Sequence, residues 1–200
     1  PRDSTLTPAG AAGSFEAEPA ENPRFIRTIS RYPHYFAFDN GTSYFPIGHN
    51  LPSYAITGQT AEQALRTMAA AGENYNRPWM SSYTGLGIEW EHALGWYRQD
   101  EAWRVDEMLR LGQELGMYFM LCMDTHQDFR EGRLWTINPY NVARGGPCET
   151  PADWFSNPAA RAAYRNRMRY TVARWGFSPH ILAWELGNEF EGWPDTPREH

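Results

Sequence analysis

The sequence predicts an α/β chain in which buried parallel strands alternate with helices, in the order β-α-β-α-β-α-β. Three observations carry that expectation. Short, continuous apolar runs such as MYFMLCMD (117–124) are what a strand covered on both faces requires. Between such runs lie segments with apolar residues at helical spacing, bounded by helix start and stop signals. An Asn-Gly pair between two apolar runs marks a β-hairpin ahead of the alternating part.

Residues 1–22 hold only Leu6 and Phe15 as large apolar groups among Pro, Ala, Gly and Glu, so a linker or the tail of a preceding domain is expected there. Residues 23–200 are expected to form one folding unit. RFIRTIS and HYFAFD, the turn Asp39-Asn40-Gly41-Thr42 and SYFPIGHN predict a hairpin that runs into a first strand, FPIGHN. Thr60 stands three residues before Gln63, a capping-box pattern, and opens a helix through ALRTMAAAG that Gly72 closes. ENYNRPWM (73–80) follows as the second strand, then a long loop with Tyr83, Trp90 and Trp96. DEAWRVDEMLRLGQELG (100–116) places Ala102, Val105, Leu109 and Leu115 on one helical face, and MYFMLCMD is the third strand. After a second long loop (125–156), Asn157-Pro158 caps a third helix with Tyr164, Met168, Val172 and Trp175 as its expected buried stripe. ILAWELGNEF (181–190) is the fourth strand, and Trp103, Trp175 and Trp184, in regular elements, are expected in the core. Helices between consecutive buried strands imply right-handed crossovers and a parallel sheet.

Composition narrows the partners. A hydrophobic content of 42% over 200 residues suffices for one core. A formal charge of −6 argues against a nucleic-acid partner, which asks for a clustered cationic face. No stretch approaches the ~20 apolar residues of a membrane-spanning helix. Cys122 and Cys148 fit neither a disulfide framework nor a zinc signature, and buried thiols are expected. Aromatic residues make up 15%, a composition suited to stacking on the C–H faces of sugars, although many of these rings must be core.

In parallel α/β folds the functional groups collect at the C-terminal ends of the strands. Those ends carry His49 and Asn50, then Arg77, then Asp124 and His126, then Asn188 and Glu189. Turn chemistry would supply Gly, Asp and Asn at such places, but not an Arg, a His and an Asn-Glu pair converging on one mouth. Glu185 has the strand parity of Glu189 and is expected to point inward and to pair with an Arg, since a lone inward carboxylate is costly. Asp124, His126 and Asp128 form a weak metal-ligand alternative, and neither a metal nor any other cofactor is expected.

At these residues the sequence resembles a known family. HILAWELGNEFEGW (180–193) is similar to the fourth-strand motif of clan A glycoside hydrolases, especially the family 5 cellulase and mannanase group, in which an Asn-Glu pair closes that strand. HYFAFDNGTSYFPIGHN and INPYNVARGGPCETPADWF also resemble cellulase-like proteins in which a small β-sandwich precedes the barrel. The resemblance runs from about residue 24 to 200 and implies the N-terminal half of a (β/α)8 barrel, about four strands and three helices. It implies retaining hydrolysis of O-glycosidic bonds in a polysaccharide or oligosaccharide, with Glu189 as acid/base, Asn188 on the substrate 2-hydroxyl, Arg77 orienting the nucleophile and His126 in the site. His49, Asn50, Trp90, Trp135 and Trp193 are the expected substrate contacts. Retaining hydrolysis needs a second carboxylate about 5–5.5 Å from the first. In the family it comes from strand seven, so it is expected beyond His200, together with the remainder of the barrel. By analogy, an extracellular or periplasmic location is favoured. A non-catalytic carbohydrate-binding barrel is the alternative from a different class, and a metal-dependent amidohydrolase barrel lacks the paired His expected after strand one.

Overall fold

The computed structural model describes residues 24–56, 59–90 and 93–193, so the expected linker over 1–22 lies outside the described residues. Strands β1 (Ile26–Ile29), β2 (Tyr32–Phe38) and β3 (Ser43–Tyr44) form a small antiparallel sheet in that order. The expected hairpin pairs Phe36 with Tyr44 and Ala37 with Ser43. Its turn is closed by Asn40 Oδ1, which accepts from the Thr42 amide (3.0 Å), and by Gly41 at φ 86°, a conformation an L side chain rarely adopts. The segment RFIRTIS adds β1 to the hairpin's other edge.

The main sheet is parallel and runs β4 (Gly48–His49), β7 (Tyr75–Asn76), β8 (Tyr118–Cys122), β9 (Ile181–Glu185) in chain order. Between β4 and the first helix lies a minimal antiparallel pair, β5 (Ala55–Ile56) with β6 (Gln59–Thr60), that the sequence did not announce. The crossovers are α1 (Ala61–Ala70), α2 (Gln99–Leu115) and α4 (Pro158–Trp175), the last preceded by the single turn α3 (Asp153–Ser156). A parallel sheet whose strands follow one another in sequence order, with α1, α2 and α4 packed on one face, is a sector of a (β/α)8 barrel. A doubly wound sheet would reverse its order partway. Four strands make it a partial barrel.

The helices start and stop as expected. Thr60 Oγ1 accepts from the Gln63 amide (3.2 Å) while Gln63 Oε1 accepts from the Thr60 amide (3.0 Å). Asn157 Oδ1 accepts from the amides of Ala159 and Ala160 with Pro158 in the first turn. The strand expected over FPIGHN shrinks to Gly48–His49, and Gly48 sits so close to β7 that a Cβ there would lie 1.8 Å from the Tyr75 carbonyl oxygen.

The core between sheet and helices joins Leu65 and Met68 of α1, Val105, Met108 and Leu109 of α2, Trp175 of α4, and Phe119, Leu121 and Ile181 of the strands. Leu121 faces these helices and is fully buried, so it does not belong to the barrel's inner face. With strand alternation, that face is lined by Tyr118, Met120 and Cys122. A second cluster closes the N-terminal end of the strands. There Ile26, Phe38 and Tyr44 of the small sheet pack on Tyr118, the first residue of β8, with ring centroids 5.1 Å apart for Tyr44 and Tyr118. The small sheet is thus a plug under the barrel, and the opposite end is left open for chemistry.

Helix α4 corrects one expectation. Its buried residues are Ala160, Arg167, Thr171 and Trp175, while Val172 is 56% exposed. The helix is turned so that Arg167 is buried against Asp124 (2.5 Å) while Val172 faces solvent. Trp103 and Trp184 are also more exposed than expected: Trp103 is exposed on α2, and Trp184, which lies on the helix side of β9 beside Leu121, is 36% exposed because β9 is a sheet edge among the described residues, whereas Trp175 is core. Cys122 and Cys148 are buried free thiols.

Candidate active site

At the open end, the residues after β7, β8 and β9 converge. Arg77 Nε donates to Glu185 Oε2 (2.6 Å), and its Nη2 donates both to Glu185 Oε1 and to Asn188 Oδ1 (2.8 Å). This fork, whose hydrogen bonds to Glu185 raise the guanidinium above its ordinary range, is the inward carboxylate's expected arginine partner. Asn188 is nearly fully buried. Its amide donates to the Asp124 carbonyl (2.9 Å), its carbonyl accepts from Trp193 Nε1 (2.8 Å), and its Nδ2 lies 3.2 Å from His126 Nδ1.

Glu189 completes the group, with Oε2 3.3 Å from His126 Nδ1 and a side chain 55% exposed at the mouth. Its backbone is left-handed (φ 52°, ψ 59°), a conformation that costs a non-glycine residue on the order of 1–3 kcal/mol. The surrounding structure imposes it. Residues Phe190–Gly192 form a 3₁₀ turn whose Gly192 amide donates back to the Glu189 carbonyl (2.8 Å), and Trp193 then anchors under Asn188. Gly187 is required beneath this turn, because a Cβ there would meet the Trp193 ring at 2.7 Å.

The structure therefore brings together Arg77, His126, Asn188 and Glu189, and adds Glu185. It does not bring in His49, whose Nδ1 engages Glu73 Oε2 (2.7 Å) on the exposed edge strand β4, and Asn50 beside it is exposed. The three tryptophans expected to touch substrate are each 4% exposed. Trp193 stacks on Phe129 (4.4 Å) and Trp135 flanks the same ring (6.2 Å), while Trp90 is buried in its own loop. Long loops need cores of their own, and these rings supply them. Exposed rings among the described residues of this region include Trp96, at 71%, Tyr83 and Phe155.

A buried polar layer, which the sequence reading did not assemble, supports the mouth from below. Arg167, fully enclosed, donates to Asp124 Oδ2 and to the Met123 carbonyl (3.1 Å), with Glu89 Oε2 3.7 Å from Nη1. Tyr140 Oη donates to Glu89 (3.2 Å). Beside it Asp128 accepts from Ser81 Oγ (2.5 Å) and from the Thr125 amide and hydroxyl (3.0 and 2.8 Å), and among the described residues no cation contacts it. Burial pushes this carboxyl up to about 7, reinforced by the Asp124 charge and opposed by those hydrogen bonds. The carboxylates of Asp124 and Asp128 are thereby committed within the protein, and among the described residues no three His, Cys, Asp or Glu side chains converge as a metal site. Helix phase was the missing signal, since Arg167 lies off the expected stripe.

Comparison with known proteins adds relatives. No family model matches the chain. Mannan endo-1,4-β-mannosidase 1 of Oryza sativa subsp. japonica is 25% identical over 164 residues, 75% of this chain and 38% of the rice protein. Mannan endo-1,4-β-mannosidase A of Aspergillus aculeatus is 24% identical over 205 residues, 92% of this chain and 50% of that protein. The chain thus spans half or less of the length of these relatives. Among solved structures, a glycoside hydrolase family 5 mannosidase from Rhizomucor miehei superposes with a TM-score of 0.56 at 18% identity, over 83% of this chain and 49% of that one. This last likeness bears on the fold.

Proposed function

We propose, for a chain that stands with the family 5-like glycoside hydrolases and carries four strands of their barrel, that it supplies the acid/base half of an active site hydrolysing O-glycosidic bonds. The single observation that carries this reading is the junction of Arg77, Asn188, His126 and Glu189 at the C-terminal ends of three adjacent parallel strands. Glu189 is the general acid and then the general base, Asn188 binds the hydroxyl next to the reacting carbon, and Arg77, which holds Asn188, orients the nucleophile. A glycosidic oxygen is a poor leaving group, so it must receive a proton as its bond to carbon breaks. The nucleophile of the retaining mechanism belongs to a strand outside these 200 residues, and so does the rest of the barrel wall. The relatives' names favour β-1,4-mannan as the polysaccharide.

The test is turnover of β-mannan, β-glucan and xylan by a protein in which this chain is continued through a complete barrel. Glu189→Ala should lower the rate on polysaccharide by roughly 10²–10⁴-fold. An activated aryl glycoside, whose leaving group needs little protonation, should lose much less. Equal losses on both substrates would remove Glu189 from the acid role, and glycan binding without turnover in the unsubstituted protein would favour a carbohydrate-binding barrel instead.

A further inference from the structure

Five polar groups form an unbroken line across the mouth: Glu185, Arg77, Asn188, His126 and Glu189. The direction of its hydrogen bonds is decided at the Glu185 end. A guanidinium carries only donors, so whatever faces it must accept. Asn188 therefore presents Oδ1 to Arg77 Nη2 (2.8 Å), which leaves Nδ2, a donor only, facing His126 Nδ1 (3.2 Å). That nitrogen must accept, so the proton of the neutral imidazole belongs on Nε2.

Two contacts offer the competing arrangement: a Glu189 carboxylate, whose Oε2 lies 3.3 Å from Nδ1 on the solvent side and would accept a proton from it, and the amide at the other ring nitrogen. Gln127 Nε2 lies 2.6 Å from His126 Nε2, and as placed it would donate to that atom and push the proton to Nδ1. The two amides are not equally free. Turning Asn188 would set its NH2 against the Arg77 donors, whereas no other hydrogen bond holds the Gln127 carboxamide among the described residues. A half-turn of Gln127, exchanging two atoms of similar size, presents its oxygen to Nε2–H. The clamped amide outranks the free one.

What clamps Arg77 is Glu185. The two side chains are 17% and 20% exposed, and the carboxylate takes both arms of the guanidinium fork. We propose that Glu185 is a positioning residue: by fixing Arg77 it sets the orientation of the Asn188 amide and selects the Nε2–H tautomer of His126 beside Glu189. The one lone pair of Nδ1 is then shared between the Asn188 Nδ2–H and Glu189 Oε2 at 3.3 Å, where a protonated carboxyl can donate to it and a carboxylate cannot. This deepens the acid/base reading of Glu189 and rests on it for its catalytic meaning, but the tautomer is a property of this chain alone.

The tautomer is read by two-bond ¹H–¹⁵N correlation on the ¹⁵N-histidine-labelled chain, continued through a complete barrel so that its sheet edges are covered, at about pH 8, where an ordinary imidazole is neutral. His126→Gln identifies the signal. The unsubstituted chain should carry its proton on Nε2. Glu185→Gln opposes an NH2 to the fork and removes one acceptor, and should shift the tautomer ratio toward Nδ1–H on the order of tenfold, as loss of one charge-assisted hydrogen bond implies. Glu185→Asp, which keeps a carboxylate, should fall between the two, and circular dichroism checks that each variant is folded. A proton on Nδ1 in the unsubstituted chain overturns the proposal whatever the variants do, and so does a folded Glu185→Gln with an unchanged ratio. Neither result touches the glycosidase reading, and failure to turn over a glycan leaves the tautomer result standing.

Discussion

Replacing Asp128 with Asn should change how stability depends on pH, and in the direction opposite to that of most carboxylates. In the folded chain, burial is the largest influence on Asp128 and pushes it from 3.8 to about 7. Ser81 and Thr125 hydrogen-bond it but do not neutralise it. In the unfolded chain the carboxyl ionises in its ordinary range. From about pH 4 to about pH 7 the unfolded state has therefore released a proton that the folded state keeps, and stability falls as pH rises. At about 1.4 kcal/mol per unit, the fall totals about 4 kcal/mol and ends above the folded value. Asparagine has no proton to release. It keeps an oxygen for the Thr125 amide and turns its NH2 to Ser81, whose hydroxyl can accept. Urea unfolding followed by tryptophan fluorescence, at micromolar concentration and about pH 5, 6, 7 and 8, gives both stabilities. The wild-type advantage over Asp128→Asn should shrink by about 3 kcal/mol across that range. A difference that stays constant over the range, or grows with pH, would refute the argument that this carboxyl is buried without a compensating charge.

Two further outcomes follow from the same layer and from the sheet. Arg167→Met leaves Asp124 and Glu89 enclosed without their cation and should cost about 3–5 kcal/mol, read as a lowered urea midpoint. A loss below about 1 kcal/mol would mean that the triad is open to water. Among the described residues β4 and β9 are unpaired sheet edges, and Trp184 and Leu186 at β9 are exposed, so light scattering should show the 200-residue chain associating as its concentration rises. A monodisperse monomer at every concentration would show the β9 edge to be covered.

Much of the architecture could be read from local chemistry. The capping box at Thr60 and Gln63, the Asn157-Pro158 start and the Asn-Gly turn each satisfy backbone groups within a few residues, so their signals are complete in the sequence. The buried runs at 118–122 and 181–185 are strands for an equally local reason, since continuous apolar sequence of that length has to be covered on both faces. Arg77, Asn188 and Glu189 were legible because strand ends in a parallel sheet point to one mouth regardless of loop detail.

Burial and partnership were decided by tertiary structure. Trp90, Trp135 and Trp193 read as surface rings because they stand in loops, yet those loops fold over cores of their own and enclose them. The phase of α4 was set by an arginine seeking two carboxylates, one at the end of another strand and one in a loop about 80 residues away, and hydrophobic periodicity carries no record of such a pair. His49 meets Glu73 on an exposed edge strand instead of joining the group at the mouth. Local sequence was enough for the three long helices, the two longest parallel strands and the end of the sheet where chemistry can occur, because those depend on backbone hydrogen bonds and on water. Which buried charges meet, and which rings stay open, depends on distances between segments far apart in the chain, and those exist only once the sheet has formed.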